Sequence, residues 1–186
     1  MPSAKLRDIN KRWSKGEFIN GLDPNFGNES IGDPHDYYTP DWIYGSIYAC
    51  TESGTATSIT AYIAQLSSFL PKFKYALHKL SDLSLVAYTA EGTMTTDFEG
   101  WWPLDVVWGG TLEATDYILA PWFDDWMWLY TKYHYQRGRN QNIAYNSFPD
   151  PLDPLVAHYD ISIFCSYTVA VVAKRMVGNG LTCVVT

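Results

Sequence analysis

The sequence predicts an all-β protein, a sandwich or jelly roll of strands joined by long irregular loops. Three observations carry this. Aromatic residues make up 16% of the 186, with 14 Tyr and 8 Trp, and such side chains favour pleated, half-buried surfaces. Residues 58–63 and 161–172 alternate apolar and polar or small side chains with period two. Clusters of Gly, Pro, Asn and Asp separate these runs, as turns require. Hydrophobic residues at 47% and charged residues at 18% exclude a disordered chain and are enough to fill one core without a metal or a disulfide.

Taken in order, residues 1–15 form a basic leader. Lys5, Arg7, Lys11, Arg12 and Lys15 stand against Asp8, a net +4, while the other residues carry −11 of the total −7. No Lys or Arg occurs from residue 16 to residue 71. Residues 21–40 (GLDPNFGNESIGDPHDYYTP) read as an extended arm running over the body. Two domains of unequal kind follow: leader and arm over 1–40, and a folded body over 41–186.

Residues 42–53 and 55–66 read as two strands of a hairpin turning at Gly54. In SSFLPKFKYALHKL, Ser67 or Ser68 caps a short helix. Its stripe is Leu70, Phe73, Leu77 and Leu80, at intervals of three or four. A strand through Leu83, Leu85 and Ala87 comes next. Residues 100–135 are crowded with aromatics, interrupted by Pro103 and Pro121. Residues 126–135 read as a strand with Trp126, Trp128 and Tyr130 on one face, or as a short helix starting at Asp124 or Asp125. RGRNQN (137–142) reads as a polar loop and NSFPDPLDP (146–154) as a turn cluster. The clearest strand begins at residue 158, with Ile161, Ile163, Cys165, Tyr167, Val169 and Val171 on one face. Asn179–Gly180 turns into a short last strand over 181–186.

Cys50, Cys165 and Cys183 are odd in number and widely spaced, which fits small core residues in a reducing compartment better than a disulfide framework or a zinc site. No run approaches the roughly 18 apolar residues of a membrane span, and the first fifteen residues lack the apolar stretch of a signal peptide. None of His35, His78, His134 and His158 stands at zinc-helix spacing. A P-loop, a dinucleotide fingerprint and a nucleophile elbow are all missing, so the chain reads as a non-enzyme. Glu91, Asp97, Glu99, Asp105, Glu113, Asp124 and Asp125 could supply a glycosidase pair, but a solvated acidic face or a cation site is the simpler reading.

Two surfaces stand out. The leader, with Lys5, Arg7, Lys11, Arg12 and Lys15 for phosphates and Trp13 to stack on a base, suits nucleic acid. Trp101, Trp102, Trp108, Trp122, Trp126 and Trp128 form an aromatic belt. It suits a core or subunit interface first, and a carbohydrate-stacking platform second.

Two segments resemble the shell domain of single jelly-roll coat proteins from small icosahedral viruses. One is residues 67–105, through Leu70, Pro71, Tyr75, the L-S-L-x-x-Y pattern of Leu83, Ser84, Leu85 and Tyr88, then Thr93, Thr95, Thr96, Gly100 and Asp105. The other is residues 157–172, through Ile161, Ile163, Tyr167, Thr168 and Val169. Together they cover about a third of the chain. The resemblance implies a jelly-roll β-sandwich with one or two short helices and an extended N-terminal arm. It also implies a homo-oligomer of many copies, assembled in the host cytoplasm into a virion, with no membrane. The leader would face the packaged nucleic acid, and residues 16–40 would strap across a neighbour. Some members place cation-binding Asp pairs at subunit contacts, which makes Asp124–Asp125 and Asp150/Asp153 the candidates here, with calcium as the ion.

Overall fold

The computed structural model describes residues 24–38, 40–65, 70–153 and 156–169. Over these the chain is all β, as its composition implies, and no helix occurs among them. The strands in order are β1 (Asn25–Gly27), β2 (Asp33–Tyr38), β3 (Trp42–Ala49), β4 (Gly54–Gln65), β5 (Lys72–Lys79), β6 (Leu85–Thr89) and β7 (Gly92–Thr93). Then come β8 (Glu99–Gly109), β9 (Thr111–Leu112), β10 (Asp116–Phe123), β11 (Met127–Asn142), β12 (Val156–Ile161) and β13 (Ile163–Val169).

All pairings are antiparallel. From β4 the order runs β8, β6, β5, β10, β3 and β11. The start of β11 then returns to the end of β4 through Met127↔Gln65, Trp128↔Ala64 and Leu129↔Ile63. The pairings therefore close on themselves. Consecutive neighbours β5, β6 and β8, with β4 beside β8, make a Greek-key run. Outside this ring, β13 and β1 extend from β4, while β2 and β12 flank β11. The arm strands β1 and β2 are thus hydrogen-bonded to the chain's own body.

Alternation divides the ring strands into two faces. The inner core takes Ile59, Ala61 and Ile63 from β4, Phe73, Tyr75 and Leu77 from β5, and Tyr117, Leu119 and Phe123 from β10. Met127 and Leu129 of β11 and Ile163, Cys165 and Tyr167 of β13 join it, with Phe26, Tyr48 and Cys50 among its other members. The opposite face of β3, β5 and β10 builds a second core from Ile43, Ala76, Ile118, Ala120 and Trp122. Phe148 and Leu152 of the connection after β11 cover it.

Several expectations are corrected. The helix over 67–80 is strand β5, as far as its residues are described. Phe73, Tyr75 and Leu77 fill the inner core while Lys74, Ala76 and His78 face the second, so a two-sided strand imitates a helical stripe. Residues 42–65 are two strands, but not a hairpin. β3 pairs with β10 and β11, whereas β4 pairs with β13, β8, β9 and β11. Gly54 marks a close approach, not a turn: a Cβ there would collide with the Thr168 carbonyl oxygen.

The strand reading of residues 126–135 holds, but β11 continues through the supposed polar loop to Asn142. Pro121 sits inside β10. The β3 ladder skips from Leu119↔Ser46 to Trp122↔Ile43, where proline offers no N–H. The long strand after residue 158 breaks at buried Ser162, whose amide donates to the Tyr130 carbonyl (2.8 Å) and whose hydroxyl accepts from the Gly32 amide (2.9 Å). Beyond that kink, Ile163, Cys165 and Tyr167 are buried on one face as the alternation predicts. The last strand over 181–186 lies outside the described residues.

Candidate interaction surfaces

Strand register splits the tryptophan belt. Trp122 points into the second core and is fully buried between Tyr145 and Phe148, with ring centroids 5.2 Å away in both cases. Trp102 faces the inner core, edge-on to Phe98 at 4.5 Å and to Phe73 at 5.3 Å. Trp122 is therefore removed from the subunit-facing set, and Trp102 serves mainly as core. Residue type alone places both in the belt; only their parity in β8 and β10 separates them.

The other four reach the surface. Trp101 packs edge-on to Tyr62 (5.4 Å) and tilted on Phe164 (5.3 Å), and Tyr62 is edge-on to Tyr130 (4.6 Å). This row crosses the outer face of β13, β4, β8 and β11. It contains three residues that the sequence reading did not assign to a surface site: half-buried Tyr62 and Phe164, and Tyr130, which is buried at the end of the row. Their signal is the direct pairing of Tyr62 with Trp101, which the sequence alone cannot supply. The Tyr62 hydroxyl donates to Glu99 at 3.3 Å. Burial, then the Glu99 charge, raises the Tyr62 phenol, and burial with a hydrogen bond to Glu99 pushes Tyr130 up to about 12. Both phenols stay protonated at neutral pH and direct their protons to the Glu99 carboxylate.

Trp108 is 48% exposed and stacks on Tyr88, with centroids 5.4 Å apart and planes within 14°. Next to it, Val107 is 60% exposed at a bulge in the β6–β8 ladder. Gly109 follows at φ 73°, where a Cβ would meet the Val86 carbonyl oxygen. The bulge and this glycine turn an apolar pair outward on rigid backbone. Trp126 is 41% exposed, its amide bound to the Asp125 carboxylate at 2.8 Å, and Trp128 is half-buried.

Three of the acidic candidates, Asp124, Asp125 and Asp150, accept from backbone amides. Asp124 accepts from the Lys72 amide at 2.6 Å, and its carboxyl is raised chiefly by burial, the Lys72 bond opposing. Asp150 accepts from the Leu85 amide at 2.9 Å, and the Asp153 amide donates to Gln141. Among the described residues no three or more His, Cys, Asp or Glu side chains gather into a metal site. Of the carboxylates weighed for glycoside cleavage, Glu91 pairs with Lys72 (3.1 Å) and Glu113 with Lys79 (2.7 Å).

Cys50 and Cys165 are free thiols of the inner core, raised by burial, Cys165 to about 12. Lys5, Arg7, Lys11, Arg12, Trp13, Lys15 and Cys183 lie outside the described residues. Among those described, no helix is long and apolar enough to cross a membrane. No family model matches the chain, and no curated protein matches it.

Proposed function

We propose that this chain is a self-assembling coat protein whose body packs against copies of itself and whose basic leader contacts packaged nucleic acid. The observation that carries the reading is the outward apolar pair Val107–Trp108, held rigid by a bulge and the Tyr88 stack. Apolar side chains fixed on stiff β structure associate with little loss of conformational entropy. Repeated weak contacts of this kind close into a symmetric array. The body is then a form of single jelly roll. Its Greek-key run supports this, and the pairing of β3 with β10 and β11 is the feature such a jelly roll would have to accommodate.

Size-exclusion chromatography with light scattering and negative-stain imaging test it. Megadalton particles are expected, reduced to small species by Trp108→Asp. Removing residues 1–15 would abolish salt-sensitive nucleic-acid retention. A strict monomer at high concentration, with and without nucleic acid, sinks the proposal.

A second reading rests on a different observation, the row of Tyr62, Trp101 and Phe164 beside Glu99. Aromatic faces bury the apolar side of a sugar ring while the carboxylate and phenols bind hydroxyls. In that case the protein would be retarded on a polysaccharide column, and Trp101→Ala would elute unretarded.

A further inference from the structure

Lys74 lies on the outward face of β5, directly opposite Trp122 of β10 in the ladder. Its Nζ stands over three rings, 4.5 Å from the centroid of Tyr145, 4.8 Å from Trp122 and 5.2 Å from Phe148. Two of those rings belong to the connection that covers the second core. That connection is tied through Ile143 N to Asp41 O (2.7 Å), Tyr145 N to Asp41 Oδ1 (3.1 Å) and Leu152 N to Leu83 O (2.9 Å). Glu91 completes the surroundings. It accepts from the Tyr145 hydroxyl at 3.1 Å and pairs with Lys72, so it positions one ring of the set and adds a nearby negative charge. Partial burial strips water from the ammonium, the condition under which ring faces hold a cation most strongly.

We propose that Trp122, Tyr145 and Phe148 form an alkylammonium-binding cage, occupied by the chain's own Lys74, that latches residues 143–152 over the second core. The cation adds a charged bridge from β5 to two rings of the covering segment, beside the apolar contacts that Ala76 and the edge-on His78–Phe148 pair already make there.

Amide exchange at Tyr145 and Leu152 reads the latch in full-length protein. Lys74→Met keeps bulk and removes charge, and exchange at both amides is expected to speed up about tenfold, with Ile59 and Ile163 unchanged. In Lys74→Ala, methylammonium chloride refills the cage and slows exchange again, while sodium chloride at equal concentration does not. Wild-type exchange rates in Lys74→Met, or equal effects of the two salts, overturn the proposal. Should neither variant fold, wild-type proton resonances decide: the Lys74 ε-methylene protons are expected well upfield of those of the other lysines, and an ordinary position overturns it.

Discussion

His78 sets a pH dependence whose size follows from its surroundings. The imidazole is fully buried on the outward face of β5. Its Nδ1 lies 3.2 Å from the Leu83 carbonyl oxygen and Phe148 stands edge-on to the ring, while Nε2 has no hydrogen-bond partner among the described residues. Burial lowers its pKa from 6.5 to about 4, opposed by the Leu83 carbonyl and the Asp150 charge. The unfolded chain therefore takes up this proton near pH 6.5, whereas the folded chain resists it until about pH 4. Stability from this residue is complete above pH 6.5, falls as pH drops through that window, and levels off below about 4. The full loss is about 3 kcal/mol, of which about 1.4 kcal/mol has gone by pH 5.5. Urea denaturation of wild type and His78→Leu at pH 7.5, 5.5 and 4.5 measures it, because subtracting the variant cancels the other titrating groups. Wild type should lose stability relative to the variant by that amount. A difference independent of pH, or an imidazole that titrates near 6.5 in the folded protein, would refute the reasoning.

Other residues give sharp expectations. Trp122→Ala empties the centre of the second core and should cost about 3–5 kcal/mol in chemical denaturation. Ser162→Ala removes the acceptor of the Gly32 amide, a loss of about 1–2 kcal/mol with faster exchange at that amide. Gly109→Ala combines a positive φ with a backbone collision and should lower the melting temperature. Cys50 and Cys165, buried and held as thiols, should react with a disulfide reagent only as the protein unfolds.

Legibility in the sequence followed burial. Where one face is buried, alternation identifies the strand, as from Ile163 to Tyr167. Where both faces are buried, the period is lost. Tyr75 and Ala76 are both fully buried, on opposite faces of β5, so Leu70, Phe73, Leu77 and Leu80 passed for a helical stripe. Glycine was ambiguous in the same way. Gly54 has the composition of a turn, and only the approach of Thr168, more than a hundred residues on, shows it to be a contact point. The polar end of β11 was missed because Gly138 to Asn142 find their partners on β3, a pairing no local pattern encodes.

The tryptophan belt shows why a site is harder to read than a fold. Trp101 and Trp102 are adjacent in the chain, yet one lies in the outer aromatic row and the other against the inner core. A one-residue slip of β8 would exchange them, burying the Glu99 side chain with Trp101 and exposing Leu104 and Val106 with Trp102. Register thus fixes the chemistry of this face before any single residue type does. It comes from long-range pairs such as Tyr62↔Trp101 and Ile59↔Leu104, with apolar residues on the inner side providing the energetic reason to keep it. A surface built in this way has its aromatic rings set by the core beneath them. Substitutions of the outer rings should therefore alter binding or assembly with little change in stability, whereas substitutions of Leu104 or Ile59 should disturb both.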